Sequence, residues 1–194
     1  ITSGTVSAGD SYDTNICNNQ ERGAGFRWYW TSSSTIHHCN LFNNYYNRDG
    51  ELRLLIAYLS YDNPSIVKLN DPCWFGTYDE QYIQQGIFDI HSNIGFAEAD
   101  ISNRLNRPVK EAHGIVWKIH VNGEEILPYK PMAASPIGVG KHKFEVYYNR
   151  AMDTSINPTI SFGVRTPYTQ HVVAEDPSWS ADSTVFTAYY TIGA

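Results

Sequence analysis

Long apolar runs, basic clusters and paired metal-ligand cysteines are all missing from this 194-residue chain, and each absence removes a class of function. No stretch nears the roughly 20 apolar residues of a spanning helix, the closest being Leu54–Leu59, so membrane insertion is not expected. Lys and Arg number 14 against 20 Asp and Glu, a net charge of -6, and nowhere form a run. Nucleic acid and anionic membranes are therefore poor partners. The three cysteines, Cys17, Cys39 and Cys73, lack zinc-site spacing and leave one over after any disulfide. Thiols packed in a core, and one disulfide plus a free thiol, both stay open. No Gly-x-Ser-x-Gly, phosphate-cradling glycine loop or Asp-x-Asp-x-Asp-Gly calcium loop occurs. No catalytic residue, metal ligand or cofactor is assigned. Ile1–Asp10 has no initiator Met and no signal-peptide pattern, and reads as the start of a mature or excised piece.

Aromatic residues are abundant, 14% of the chain with 14 Tyr and 5 Trp, while Met is limited to two, a composition that points to an all-β protein. At about 150 residues per domain, the length fits one large or two small domains. The segment from Ile1 to Thr77 holds strand-sized bursts: Phe26–Trp30, Thr35–Phe42, Arg53–Leu59 and Ser65–Leu69. Asn, Asp and Gly clusters such as Asn47-Arg48-Asp49-Gly50 separate them as turns. Asn15-Ile16-Cys17-Asn18-Asn19 and His37-His38-Cys39-Asn40 set Cys17 and Cys39 apart by the length of one solenoid coil. Stacked coils would ladder Cys over Cys and Asn over Asn. From Tyr78 a short helix is expected, capped by Thr77 or Asp79, with Tyr82, Ile83 and Ile87 as its apolar stripe.

After a polar connector the pattern becomes regular alternation. His113–Val121 places Ile115, Trp117, Ile119 and Val121 on one face, and Asn122-Gly123 is a strong two-residue hairpin turn. Strands are expected again over Gly140–Tyr148, Thr159–Val164, His171–Ala174 and Ser183–Ile192, a spacing that suggests a β-sandwich.

Two family resemblances attach to these residues. Cys73-Trp74-Phe75-Gly76-Thr77 followed by Asp79-Glu80, Ile83, Ile87 and Asp89 resembles the closing segment of right-handed parallel β-helix, pectate-lyase-like proteins, over about Ser34–Asp100. In that group a coil ends in Asn-Tyr-Trp-Gly-Thr and a short helix leads into a last strand. Here Cys-Trp-Phe-Gly shifts the Trp by one position. Phe144–Tyr148 with Met152-Asp153, then Thr159–Gly163, is similar to bacterial Ig-like domains over about Pro136–Ile192. Together they imply residues 1–100 as a short β-helix segment with a capping helix, 101–112 as a connector and 113–194 as an Ig-like sandwich that ends one strand short. They also imply a secreted or cell-surface location.

The functional expectation is a non-enzymatic structural or adhesive module of the cell exterior. Its partners would be other copies of itself or other surface proteins. Self-assembly into filaments or a surface layer would use strand addition by the N-terminal segment, with Ile1, Thr2, Val6 and Tyr12 as its residues. The alternative is a polysaccharide-binding or lyase-type portion of a β-helix carbohydrate-active protein. Its stacking rings would be Trp28, Tyr29 and Trp30 on a strand, with Tyr45 and Tyr46 in an adjacent turn. Adjacent His37 and His38 would alternate to opposite faces and cannot act as a close pair. His113, His120 and His142 read as outward polar positions.

Overall fold

The computed structural model describes residues 11–12, 15–17, 26–29, 36–42, 44–48, 51–54, 57–60, 66–68, 72–96, 98–126, 137–162, 170–171 and 174–192. The described residues are mostly strand with one short helix, and the chain divides into two compact units, Ile1–His113 and Gly114–Ala194. Residues 101–112, expected as a connector, belong to the first unit.

In the first unit, β1 (Ser11–Tyr12), β2 (Asn15–Cys17), β3 (Phe26–Tyr29), β4 (Ile36–His37), β5 (Asn40–Phe42), β6 (Tyr45–Arg48), β7 (Glu51–Leu54), β8 (Ala57–Ser60) and β9 (Ile66–Lys68) precede the helix α1 (Glu80–Gln85). Two short strands follow it, β10 (Ile87–Phe88) and β11 (Glu98–Asp100). Nearly every pairing here is parallel: β1 with β4, β2 with β5, β3 with β8, β8 with β10, and β9 with β11. Partners lie one long excursion apart: Asn15 aligns with Asn40, Phe26 with Ala57, Ala57 with Ile87, and Ile66 with Glu98. An isolated parallel bridge joins Asn40 to Trp74 through Leu41 N–H to the Trp74 carbonyl (2.7 Å) and Trp74 N–H to the Cys39 carbonyl (2.9 Å).

This register corrects the expected cysteine ladder. Cys17 aligns with Phe42, and Cys39 falls level with Cys73, its N–H donating to the Cys73 Sγ at 3.5 Å. His38 lies between these strands with a φ of 52°, which no strand can hold. It splits the expected Thr35–Phe42 strand into β4 and β5 without changing the register, which runs from Ser11 over Ile36 before it to Asn over Asn and apolar Ile16 over the buried Leu41 after it. Cys39 and Cys73 are buried free thiols. A second correction concerns Tyr45 and Tyr46, expected in a turn. They lie in β6, which pairs antiparallel with β7 from Tyr45↔Leu54 to Arg48↔Glu51.

The core of this unit gathers around Leu41, Phe42, Trp74, Phe75 and Ile83, with Phe42 and Trp74 rings 5.3 Å apart. Asp79 caps α1 by accepting from Tyr82 N–H (3.2 Å), while Thr77 Oγ1 accepts from Asp79 N–H (3.1 Å). Gly86 ends the helix, so Ile87 contributes to β10 rather than to a helical stripe. Two buried polar side chains serve main-chain groups. Asp89 accepts from His91 N–H (3.0 Å) and Ala99 N–H (3.2 Å). The Asn40 amide engages Val109.

The second unit is a five-stranded antiparallel sheet in the order β13 (Glu124–Ile126), β12 (Val116–Val121), β14 (Gly140–Tyr148), β18 (Val185–Ile192), β17 (Glu175–Trp179). A separate antiparallel pair joins β15 (Ser161–Phe162) and β16 (Gln170–His171). Alternation places Phe144, Val146, Phe186, Ala188 and Tyr190 in one buried layer with Val121. Phe144 and Tyr190 meet edge-on at 5.1 Å, and Trp179 packs on Phe186 at 5.3 Å. The Asn122-Gly123 turn forms as expected, with φ of 52° and 86°, and joins Val121 to Glu124.

One expectation about this sheet fails. Trp117 does not share the apolar face with Ile119 and Val121. A register shift between Val116 and Lys118 inserts an extra residue, so Val116 packs on the core and Trp117 turns to the other face. The strand β17 also departs from the sequence pattern, since it holds Pro177 and a bulge between Glu175 and Ser178. Asp176 there has a φ of 49°.

Candidate functional site

The aromatic residues singled out in the first half are distributed over separate elements. Trp28 and Tyr29 lie in β3, within the parallel sheet β10-β8-β3, whereas Tyr45 and Tyr46 lie in the β6–β7 hairpin. Only their backbone is described, and Trp30 lies outside the described residues, as do Ile1, Thr2 and Val6. Tyr12 ends a strand that the chain itself pairs with Ile36–His37. His38 is half exposed, with its Nδ1 3.9 Å from Glu111.

Side chains converge instead on the polar face of the second unit's sheet. β12 contributes Lys118 and His120, the bulge contributes Trp117, and β14 contributes Lys143, Glu145 and Tyr147. Trp117 and Tyr147 meet edge-on with centroids 6.4 Å apart, and the Lys118 ammonium lies 4.3 Å from the Tyr147 centroid and 5.0 Å from that of Trp117. The His120 ring packs on Tyr147 at 4.9 Å, between Glu125 (3.5 Å) and Glu145 (3.9 Å). Burial, and then the Glu145 carboxylate, hold the Tyr147 phenol above its ordinary pKa, so it stays neutral.

The other cations of this face have carboxylate partners. Lys143 donates to Glu145 at 2.8 Å, and Lys141 lies 3.0 Å from Glu175 and 3.3 Å from Asp176. These bonds raise both lysine pKa values, the first through Glu145 and the second through Glu175 and then Asp176. Lys118 has contacts with the two rings and, among the described residues, no carboxylate partner.

The first unit carries an open cleft of about 260 Å³ lined by Glu80, Gln84, His91, Glu98, Asp100 and Arg104. Its cation is committed: Arg104 donates to Glu80 (2.9 Å) and to the Tyr78 carbonyl (3.3 Å), and its guanidinium covers the Tyr78 ring at 4.7 Å. Among the described residues no group of three or more His, Cys, Asp or Glu is arranged to hold a metal ion, and no helix is long and apolar enough to cross a membrane.

Sequence reasoning missed Trp117 as a surface ring because strict alternation buries it. The only local signal was its neighbour Lys118, and the cross-strand Tyr147 becomes visible only with the register in hand. No protein-family model matches the chain, and neither a curated protein nor a solved structure matches it.

Proposed function

We propose that the chain is a structural or adhesive module of the cell exterior, in which a short right-handed parallel β-helix segment precedes an Ig-like sandwich. The observation that carries this reading is the parallel register of the first unit. Successive passes of chain, from Asn15 to Asn40 and from Asn40 to Trp74, return to in-register positions. Parallel strands joined by such excursions are the repeating element of a solenoid, whose stacked coils offer long surfaces to partners. Right-handed crossovers are the rule for parallel connections. The β10 strand after α1 lies at one edge of the β10-β8-β3 sheet, where a capping segment would sit. In the second unit, one apolar and one polar face on an antiparallel sheet suit a sandwich.

Assembly by strand addition has to use an edge that is open. The β17 edge opposes it, since Pro177 offers no N–H, the bulge breaks the repeat, and Glu175 and Asp176 add charge. Self-association through the β17 edge is therefore disfavoured.

The test is labelling of intact source cells with antibodies to the purified chain, beside light scattering of the chain over a concentration series. Labelling without permeabilisation is expected. Signal only after permeabilisation rejects the exterior location, and a monomer at every concentration rejects self-assembly.

A further inference from the structure

We infer that Trp117, Lys118 and Tyr147 form a binding site for an anionic sugar, specifically a uronic-acid residue of a polysaccharide. The inference goes beyond the adhesive reading and uses the second unit alone. Its first support is the bulge. Regular alternation would bury Trp117 beside Ile119 and Val121, yet the extra residue after Val116 turns a large ring onto the polar face at the expense of ladder pairing. Bulges serve to re-aim a side chain in this way.

The second support is unused hydrogen-bonding capacity. The Trp179 indole N–H donates to Asn157 Oδ1 at 3.1 Å, but the Trp117 indole N–H has no acceptor among the described residues. The Lys118 ammonium carries three donors, and ring faces attract its charge without replacing a carboxylate. Lys141 and Lys143 are both neutralised on the same face, which leaves Lys118 as the cation there with no carboxylate partner among the described residues.

A uronic acid matches these three features together. The apolar C–H face of its ring stacks on an aromatic ring, its carboxylate pairs with Lys118, and a hydroxyl accepts from the Trp117 indole. A neutral sugar would leave the ammonium unmatched, and an acidic peptide would leave the rings unused.

The test is affinity electrophoresis and calorimetry of the full chain with polygalacturonate, neutral dextran, dextran sulfate and polyglutamate at matched ionic strength. Polygalacturonate is expected to bind best. Lys118→Gln should weaken that binding about tenfold or more, as loss of a charge-assisted bond does, whereas Lys118→Arg should retain most of it. Trp117→Ala should weaken binding comparably, and Trp117→Phe, which keeps a ring and removes the N–H, gives a second reading if the alanine variant unfolds. Absence of polygalacturonate binding, unchanged binding by Lys118→Gln, or equal binding of polyglutamate overturns the site. Preference for dextran sulfate overturns the uronate assignment. None of these results alters the surface-labelling outcome, so the two readings fail separately.

Discussion

Asn40 and Val109, far apart in the chain, are joined by a two-way amide pair: Val109 N–H donates to Asn40 Oδ1 at 2.8 Å, and Asn40 Nδ2 donates to the Val109 carbonyl at 3.4 Å. Both residues are buried, so the Asn side chain serves main-chain groups of the 101–112 segment away from water. Truncation removes both of these buried hydrogen bonds. Asn40→Ala should lower unfolding stability by about 2–4 kcal/mol, and Asn40→Asp by at least as much because it buries a charge facing a carbonyl. Urea titrations of the three chains decide this. A loss under about 1 kcal/mol for both variants would show that the pair is dispensable.

Cys39 and Cys73 should resist alkylation in the native state. Burial pushes the Cys73 thiol up to about 12, with the backbone N–H of Cys39 opposing that rise, so the reactive thiolate is scarce at neutral pH. Peptide-resolved mass spectrometry after iodoacetamide treatment at mildly alkaline pH should find both unmodified until denaturant is added. Rapid native labelling of Cys73 would contradict its burial.

The same thiol gives a pH dependence with a defined sign. Its folded pKa lies above the ordinary value of 9.0, so the folded chain holds the proton longer. The resulting stability is present below about pH 9 and is lost as pH rises toward about 12, at up to about 1.4 kcal/mol per pH unit. Tyr148 and Tyr190 are also raised by burial and act in the same direction. Cys73→Ala should therefore flatten, without abolishing, the fall in urea midpoint between about pH 8 and about pH 10. An unchanged slope in that variant would assign the whole alkaline loss to other groups.

Gly123 holds a φ of 86° and has no atom within 4 Å of where a Cβ would stand. Gly123→Ala is therefore a test of backbone strain without a clash. It should cost about 1–2 kcal/mol, read from thermal unfolding. A neutral result would mean that the hairpin can adopt another turn.

Opening the β17 edge should create self-association. Pro177→Val with Asp176→Asn restores a donor and removes a charge at the point where the bulge now interrupts pairing, with a residue that tolerates the positive φ there. Light scattering should show larger species for this double variant at concentrations where the parent shows none. Identical profiles would show that the proline and charge are not what protects the edge.

Legibility in the sequence followed how local each signal was. Asn122-Gly123 could be read because both residues tolerate positive φ and little else does in a two-residue connection. The buried rows of β14 and β18 could be read because one face is apolar and the other polar. His38 could not, since a single left-handed residue inside a strand-like run leaves no periodic signal. The strand β17 was invisible for a related reason: an edge strand with Pro177 needs neither alternation nor a full ladder. Trp117 was assigned to the wrong face because period-two reasoning assumes an unbroken strand, and one extra residue reverses the face of whatever precedes it. The candidate site was therefore the least legible part of the chain, as it exists only through that interruption.

The parallel register of the first unit also says where this chain can change length. Excursions between aligned partners are unequal, shorter from Asn15 to Asn40 than from Phe26 to Ala57 or from Ala57 to Ile87, and longer again from Asn40 to Trp74, yet each pair is level. Lengthening a connection adds little closure entropy, whereas slipping a strand by one residue turns every side chain over. Foreign peptide grafted between paired strands should thus be carried as cargo, with the stack acting as an indifferent scaffold for it.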